Sequence, residues 1–316
     1  MSFIRKKKKV AIIGSGFVGA SCAHWILSHN LADISLIDRK DNLAKGRAID
    51  LFSSSPLVKH DLQIQGGSDY GLAKGADIVV ITAGLPRQPG MTRADLLSKN
   101  AAIMKEVCEQ LKKVVSEETV FIVVSNPLDA MVYQAHKILQ TPREKILGMA
   151  GVLDTARFKA FIAEKLKVSV QDISALVLGG HGDTMVPLTR LVSVGGIPLE
   201  ELIKPKDLEQ IVERTRHGGG EIVSLLETGS AHYAPAASVV EMAASILRDE
   251  RRIFPCAALL EGEYGERGIF VGVPCQLNGQ GLDRVIEISL NAEEQKQFKK
   301  SIQSVQATIQ ELNQIS

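Results

Sequence analysis

The stretch Val10-Ala11-Ile12-Ile13-Gly14-Ser15-Gly16-Phe17-Val18-Gly19 decides the fold of this chain. Its apolar start predicts a buried β-strand, and the residues that follow the glycines predict a helix over Val18–Ser28. The pattern G-x-G-x-x-G between a strand and a helix is typical of a dinucleotide-binding loop. The first glycine permits a tight turn, the second lets the backbone approach a pyrophosphate, and the third allows close helix packing. A glycine turn without a ligand is the alternative interpretation.

Asp38 predicts which dinucleotide binds. It ends the second predicted strand, 22 residues beyond Gly16. A carboxylate at this place accepts hydrogen bonds from the adenosine ribose hydroxyls and repels a 2′-phosphate, so it favours NAD over NADP. Arg39 and Lys40 come next and could weaken that preference. A solvated aspartate at a strand end is the alternative.

Short apolar strands alternate with amphipathic helical segments through residues 1–150. The predicted strands are Val10–Ile13, Ile34–Asp38, Leu62–Ile64, Asp77–Thr82, Val120–Ser125 and Ile146–Met149. This alternation predicts an α/β fold with a doubly wound parallel sheet, the Rossmann arrangement. Beyond Gly151 the pattern changes to long helices and antiparallel strands. We therefore predict two domains, a dinucleotide-binding domain over 1–150 and an α+β substrate domain over 151–316, with a cleft between them.

The composition argues against several classes of partner. Among 316 residues, 37 Lys and Arg nearly balance 36 Asp and Glu, so no excess of charge suggests nucleic acid or an anionic membrane. No apolar run approaches the ~20 residues that span a bilayer. The basic start Arg5–Lys9 is interpreted as an arm that leads into the first strand rather than as a signal peptide. The four cysteines lie far apart without a C-x-x-C pair, so we expect free thiols, no metal site and a cytoplasmic protein.

The segment Gly84-Leu85-Pro86-Arg87-Gln88-Pro89-Gly90-Met91-Thr92-Arg93 follows the strand Asp77–Thr82. Its glycines and prolines predict a loop at the carboxyl end of that strand, the edge where open α/β sheets bind ligands. Because Arg pairs bidentately with carboxylate or phosphate, Arg87 and Arg93 suggest a small anionic substrate. A surface turn with two solvated arginines is the alternative.

Three further motifs supply polar groups at the same edge. Asn126, in Val124-Ser125-Asn126-Pro127, ends the fifth strand and could contact a nicotinamide ribose and a substrate oxygen; the alternative is a turn-forming Asn-Pro. Asp154 and Arg157 share one helix face, as a plain intrahelical pair also would. His181 is the one histidine with glycine on both sides. Its charge changes near neutral pH, as a proton donor and acceptor requires, although a structural histidine is the alternative.

These motifs, taken in their order along the chain, resemble the lactate/malate dehydrogenase superfamily from about Lys9 to the C-terminus. The closest resemblance is to bacterial malate dehydrogenases that are structurally lactate-dehydrogenase-like. It implies that Arg157 grips the C1 carboxylate and that His181 exchanges a proton with the substrate oxygen. It further implies that Asp154 holds the His181 ring and that Arg93 polarises the substrate carbonyl. The Arg-bearing loop is expected to close over the substrate.

The resemblance also implies NAD as the cofactor and a set of residues that contact it. Those residues are Gly14, Ser15, Gly16, Phe17, Val18, Gly19, Asp38, Asn100, Val124, Ser125 and Asn126. The family forms dimers or tetramers, so we expect a homo-oligomer.

Arg87 indicates a dicarboxylate substrate, malate or oxaloacetate. Relatives that use malate carry Arg at this position, and lactate-specific ones typically carry Gln. A second carboxylate pairs with Arg87, whereas pyruvate would leave the charge buried and unpaired, at a cost of about 3–5 kcal/mol. An L-lactate or other 2-hydroxyacid dehydrogenase is the alternative enzyme, and a non-catalytic NAD-binding module is the remote one.

Overall fold

The computed structural model describes residues 7–86 and 91–315. Within them a run of parallel strands forms the N-terminal part of one large sheet. These strands are β1 (Lys9–Ile13), β2 (Asp33–Ile37), β3 (Ile64–Gly67), β4 (Ile78–Ile81), β5 (Val120–Val123) and β6 (Ile146–Gly148). Their spatial order is β3-β2-β1-β4-β5-β6, which confirms the predicted doubly wound parallel sheet. The order reverses between β1 and β4, so the carboxyl ends of those two strands border the crevice where such sheets bind ligands.

Helices cover both faces of these strands. They are α1 (Phe17–Ser28), α2 (Asp41–Val58), α3 (Arg93–Leu111) and α4 (Leu128–Leu139). Successive residues of a strand point to opposite faces, and β1 shows this directly. Val10 and Ile12 belong to one buried cluster, and Ala11 and Ile13 to another. A strand buried on both sides needs apolar residues at every position, which explains the continuous apolar runs of β4 and β5.

The second half of the chain adds helices and antiparallel strands. The helices are α5 (Gly151–Leu166), α6 (Pro205–Leu226), α7 (Tyr233–Leu247) and α8 (Ala292–Ile315). The strands are β7 (Ile173–Ser174), β8 (Val177–Leu178), β9 (Val186–Pro187), β10 (Ser193–Val194), β11 (Ile197–Pro198), β12 (Ile253–Glu261), β13 (Arg267–Asn278) and β14 (Gly281–Val285). Together with the N-terminal half they give the mixed α/β architecture that the sequence predicts.

The two halves share one sheet, which the sequence did not predict. β12 pairs antiparallel with β6, where Ala257 lies opposite Gly148, and β13 and β14 follow it outward. A Cβ at Gly148 would lie 2.9 Å from Cβ of Ala257, so the absent side chain permits this close pairing. The site therefore lies on a continuous framework of nine strands within the described residues.

Two local features of the second half, a divided pair of short strands and a run of glycines in α6, have physical explanations. β7 and β8 are separate strands although only two residues divide them, because β7 pairs with β10 and β8 with β9. Three consecutive glycines, 218–220, lie within α6, where glycine is costly compared with alanine. α6 runs through them, and a Cβ at Gly218 would lie 3.3 Å from Cδ of Arg157, so the close approach to α5 explains the glycine at 218. In the part of the chain that the structure describes, no helix is both long and apolar enough to cross a membrane.

Candidate active site

The three glycines between β1 and α1 have different surroundings. Gly14 has φ +96°, and a Cβ there would lie 2.8 Å from the backbone N of Ala83. A Cβ at Gly19 would lie only 1.9 Å from the carbonyl oxygen of Gly14, so the helix packs directly on the turn. A Cβ at Gly16 would meet nothing within 4 Å. The loop is thus crowded at two glycines and open at the middle one, as the approach of a pyrophosphate to the backbone requires.

Asp38 lies beside this loop at the end of β2. Its Oδ2 accepts a hydrogen bond from the backbone N–H of Ser15 at 2.7 Å, and its Oδ1 accepts one from the backbone N–H of Lys40 at 2.9 Å. The hydroxyl of Ser15 is buried without a hydrogen-bond partner. The side chain of Phe17, by contrast, is exposed at the start of α1. An open glycine, a half-buried carboxylate and free N–H groups at a helix start together fit the adenosine and phosphate parts of NAD.

Val124, Ser125 and Asn126 follow β5 at the same edge. The Ser125 hydroxyl donates to the carbonyl oxygen of Ala83 at 2.5 Å and so joins the ends of β4 and β5. Asn126 is exposed and borders a cavity together with His181. Among the described residues no hydrogen bond occupies its side-chain amide, and its contact with a ligand stays a prediction.

Asn100 is buried in α3, and its side chain joins two loops. Its Nδ2 donates to the carbonyl oxygens of Leu85 at 3.1 Å and Asn126 at 2.7 Å, and its Oδ1 accepts from the Leu85 N–H at 2.7 Å. The resemblance implied a cofactor contact at this position. In the structure the Asn100 amide holds the backbone of the Arg-bearing loop to the segment that carries Asn126.

Asp154, Arg157 and His181 lie in direct contact. α5 presents Asp154 and Arg157 one turn apart, and the loop after β8 places His181 against them. The His181 Nδ1 lies 2.8 Å from Oδ2 of Asp154, and the Arg157 Nη1 lies 3.7 Å from Asp154 Oδ1. The Asp154 side chain is 2% exposed, that of Arg157 13% and that of His181 16%. A carboxylate so well buried needs these cationic partners.

Three elements fix the loop that carries His181. Gly179, at φ +88°, exchanges two backbone hydrogen bonds with Gly272 of β13. The Gly180 N–H donates to the hydroxyl of Ser301 in α8 at 2.9 Å. The His181 N–H donates to Oδ2 of Asp129 in α4, also at 2.9 Å. The glycines allow this backbone path, and the imidazole is held rigidly as a result.

Sequence reasoning missed Asp129. It lies 52 residues before His181, and that distance hides the contact. One signal was available, because Asp129 stands between apolar residues at the start of a largely apolar helix. A carboxylate in that setting is buried only when it has a partner or a function.

Charge governs the protonation of His181. Burial lowers its pKa, but the charge of Asp154, the hydrogen bond to Asp154 and the charge of Asp129 raise it by more. The pKa of His181 therefore stands above its ordinary value. With Nδ1–H donated to Asp154, Nε2 makes no hydrogen bond to residues 7–86 or 91–315 and can exchange a proton with a ligand.

His181 lies between two cavities. One, of about 470 Å³, is bordered by His181, Arg157 and the glycines 219–220 of α6. The other, of about 510 Å³, is bordered by His181, Asn126, Asp129 and Arg93. The Nε of Arg157 is buried and finds no hydrogen-bond partner in the described part of the chain, so part of this guanidinium remains to bind an anion.

Arg93, which follows the loop after β4, is less closely joined to this centre. Arg93 is the first residue of α3, behind a capping box formed by Thr92 and Asp95. Its side chain is 83% exposed, and its Nη2 lies 3.6 Å from Oδ2 of Asp183. Arg87 lies outside the described residues. Among the residues that are described, no group of three or more His, Cys, Asp or Glu is placed to hold a metal ion.

Two family models match nearly the whole chain. The model of the lactate/malate dehydrogenase NAD binding domain matches residues 8–148. The model of the lactate/malate dehydrogenase alpha/beta C-terminal domain matches residues 151–315. This chain belongs to the lactate/malate dehydrogenase family. It is accordingly an NAD-dependent oxidoreductase, which confirms the cofactor predicted from the glycine loop and Asp38.

Individual members of the family are similar over their full length. A malate dehydrogenase of Rhodopirellula baltica is 50% identical over 306 residues, 96% of this chain and 97% of the relative. The crystal structure of Cryptosporidium parvum malate dehydrogenase is 40% identical, with a TM-score of 0.95 over 98% of this chain and 99% of that one. A C. parvum lactate dehydrogenase, complexed with lactic acid and the NAD cofactor, is 39% identical with a TM-score of 0.94, covering 98% of each chain. The fold is therefore common to both substrate preferences and does not by itself separate them.

Proposed function

We propose that the protein is an NAD-dependent malate dehydrogenase, which transfers a hydride reversibly between (S)-malate and oxaloacetate. The observation that carries this proposal is the buried contact of Asp154, Arg157 and His181 at the binding edge of the sheet. The guanidinium of Arg157 can bind an anion, and the Nε2 of His181 is available for proton exchange. The carboxylate of Asp154 orients the His181 ring. The malate dehydrogenases that are about 50% identical to this chain support the same substrate.

Substrate binding depends on Arg157. Its guanidinium can form a bidentate pair with the C1 carboxylate of the substrate, which would supply the partner that Nε lacks. Gly218 and Gly219 leave space beside this side chain, so the arginine reaches the cavity without a steric obstacle from α6. The proposed contact fixes the substrate carbon at a set distance from His181.

Proton transfer depends on His181. In oxaloacetate reduction the Nε2–H donates to the carbonyl oxygen as it gains negative charge, and in malate oxidation neutral Nε2 accepts the hydroxyl proton. Asp154 holds Nδ1–H and stabilises the imidazolium by its charge. The bound cofactor would supply the hydride as NADH and accept it as NAD⁺. The chain positions the reactants and moves the proton.

Arg93 would act when the loop after β4 closes. It already borders the cavity that His181 and Asn126 also border, and the glycines and prolines in the sequence of the loop are expected to act as hinges. A guanidinium brought onto the carbonyl oxygen would stabilise the charge that develops there. Closure would also exclude water from the site.

Arg87 is proposed to select the dicarboxylate. The test compares kcat/KM for oxaloacetate and for pyruvate with NADH, and repeats the oxaloacetate measurement with NADPH. We expect oxaloacetate and NADH to be preferred. Arg87→Gln should reduce kcat/KM for oxaloacetate by about 10²–10³-fold, because the second carboxylate loses its partner, and affect pyruvate far less. A wild-type preference for pyruvate would contradict the malate assignment and favour the lactate alternative.

We also propose a division of the chain and an assembly. Residues 1–150 would form the NAD-binding domain and 151–316 the catalytic domain, and the two matched ranges support this boundary. A cytoplasmic homodimer or homotetramer acting in the tricarboxylic acid cycle is proposed, supported by apolar side chains that are exposed on α2, among them Phe52 and Leu57. Light scattering after size exclusion should give a mass of two or four chains, and a monomer would contradict the assembly.

A further inference from the structure

Asp129 is a buried carboxylate, and one of its two oxygens accepts no hydrogen bond from the described residues. Its Oδ2 accepts the His181 backbone N–H at 2.9 Å, and its Oδ1 is buried and has no hydrogen-bond partner among residues 7–86 and 91–315. The residue is 8% exposed and borders the cavity of about 510 Å³ that also contains Arg93, Asn126 and His181. An ionised carboxylate in such a place is costly unless its charge has a use.

Holding the loop does not by itself require that charge. The neighbouring N–H, from Gly180, is held by the neutral hydroxyl of Ser301 at the same distance of 2.9 Å. An asparagine at position 129 would also present an oxygen to the His181 N–H, but without a charge. Burial raises the pKa of Asp129 to about 6, so the chain retains an acid here although burial opposes its ionisation.

We propose that Asp129 is a positioning residue for proton transfer, a second buried carboxylate that holds the His181 backbone and favours the protonated imidazole. The inference rests on the proposed function of His181 as the proton donor and acceptor. Asp154 acts on the ring through Nδ1, and Asp129 acts on the same residue through the backbone N–H and through its charge. His181 thus lies between two carboxylates that come from different helices.

Other charged groups face the same histidine. α5 contributes Arg157 beside Asp154, and α3 contributes Arg93. The remaining groups that border the two cavities are Asp183, Arg216, His217, Glu221 and Glu311. Asp129 and Asp154 are the acidic groups that raise the pKa of His181, while Arg157 lowers it.

The experiment compares Asp129→Asn with Ser301→Ala. Asparagine keeps an oxygen that accepts the His181 N–H but removes the charge, whereas alanine at 301 removes a neutral hydrogen bond from the same loop. The readout is the pH profile of kcat/KM for oxaloacetate reduction and for malate oxidation. Without the Asp129 charge the imidazolium loses stabilisation, so in Asp129→Asn both profiles should move to lower pH. On the alkaline side, reduction should fall by roughly threefold to tenfold. Ser301→Ala should leave the position of both profiles unchanged.

Either of two results would overturn the proposal. One is an Asp129→Asn profile that stays in place while the rates fall, and the other is a Ser301→Ala profile that moves equally. If Asp129→Asn fails to fold, the wild-type protein supplies the test by NMR, with ¹³C in the aspartate carboxyls and ¹⁵N in the histidines. The His181 imidazole should respond to the titration of a buried aspartate near pH 6, and its failure to respond would refute the coupling. This measurement needs no substrate, so it separates an error about Asp129 from an error about malate.

Discussion

The site has a cofactor side, built from backbone and empty space, and a proton-transfer side, built from buried charge. At the cofactor side the deciding features are the open position of Gly16 and the crowded position of Gly19. At the proton-transfer side they are the contacts of His181 with Asp154 and Asp129. The two sides should therefore be sensitive to different substitutions. Added side-chain volume should impair the cofactor side, and loss of a charged group should impair the proton-transfer side.

His181→Asn should have the largest effect and test whether the two sides are separable. Asparagine offers no proton exchange at neutral pH, so kcat should fall by about 10²–10⁴-fold. The glycine loop is untouched, so the Kd of NADH, measured by fluorescence titration, should remain within about twofold of wild type. Loss of NADH binding would show that the two sides are coupled, and retained activity would show that His181 is not the proton donor and acceptor.

Gly19→Ala and Gly16→Ala form a matched pair on the cofactor side. The added Cβ at Gly19 would lie 1.9 Å from the Gly14 carbonyl oxygen, so we expect a loss of about 1–3 kcal/mol of unfolding free energy or more. The same methyl at Gly16 meets no atom within 4 Å and should leave the melting temperature unchanged.

Gly16→Ala should instead weaken NADH binding, by about tenfold or more, because its methyl occupies the space that the pyrophosphate needs. Differential scanning calorimetry and NADH titration of both variants make the comparison. Equal melting temperatures for the pair, or normal NADH affinity in Gly16→Ala, would contradict the division between packing and ligand space.

The same contrast explains what could be predicted from the sequence. The glycine loop, the parallel strands and Asp38 follow local rules of turn, periodicity and spacing, and the fold and the cofactor were predicted from them. Asp154 and Arg157 share a helix face, so their proximity was also local. Their contact with His181 was predicted only from the family resemblance, because Asp154 and Arg157 lie 27 and 24 residues before it in the sequence.

Long-range contacts between unremarkable residues could not be predicted. The shared sheet depends on Ala257 meeting Gly148, two small residues with no sequence signal. The Asp129–His181 bond and the Asn100 bridge between two loops likewise join segments that no periodicity connects. The role of Arg87 stays a prediction, and substrate kinetics will decide it.

Asp129→Asn should also reveal the stability cost of buried charge. Because burial raises the pKa of Asp129 to about 6, above its ordinary value of 3.8, its favourable contribution is present below about pH 4 and is lost as pH rises through 6. The variant should therefore match wild type in acid and become more stable than wild type by roughly 1–3 kcal/mol above pH 6. Urea unfolding at pH 4 and pH 8 measures this difference, and a difference that does not change with pH would show that the carboxyl is not a buried acid.

Asp38→Ser should give the smallest effect, a change in cofactor preference at a site built mostly from backbone. The carboxylate accepts ribose hydroxyls and repels a 2′-phosphate, so its removal should lower kcat/KM with NADH and raise it with NADPH, each by roughly tenfold. Asp41→Asn is the control, because that nearby carboxylate binds Ser68 and Lys45 and should leave the preference unchanged. If Asp38→Ser lowers kcat/KM equally with NADH and with NADPH, the main role of Asp38 is its 2.7 Å hydrogen bond to the Ser15 N–H. The carboxylate would then stabilise the loop backbone rather than recognise the cofactor.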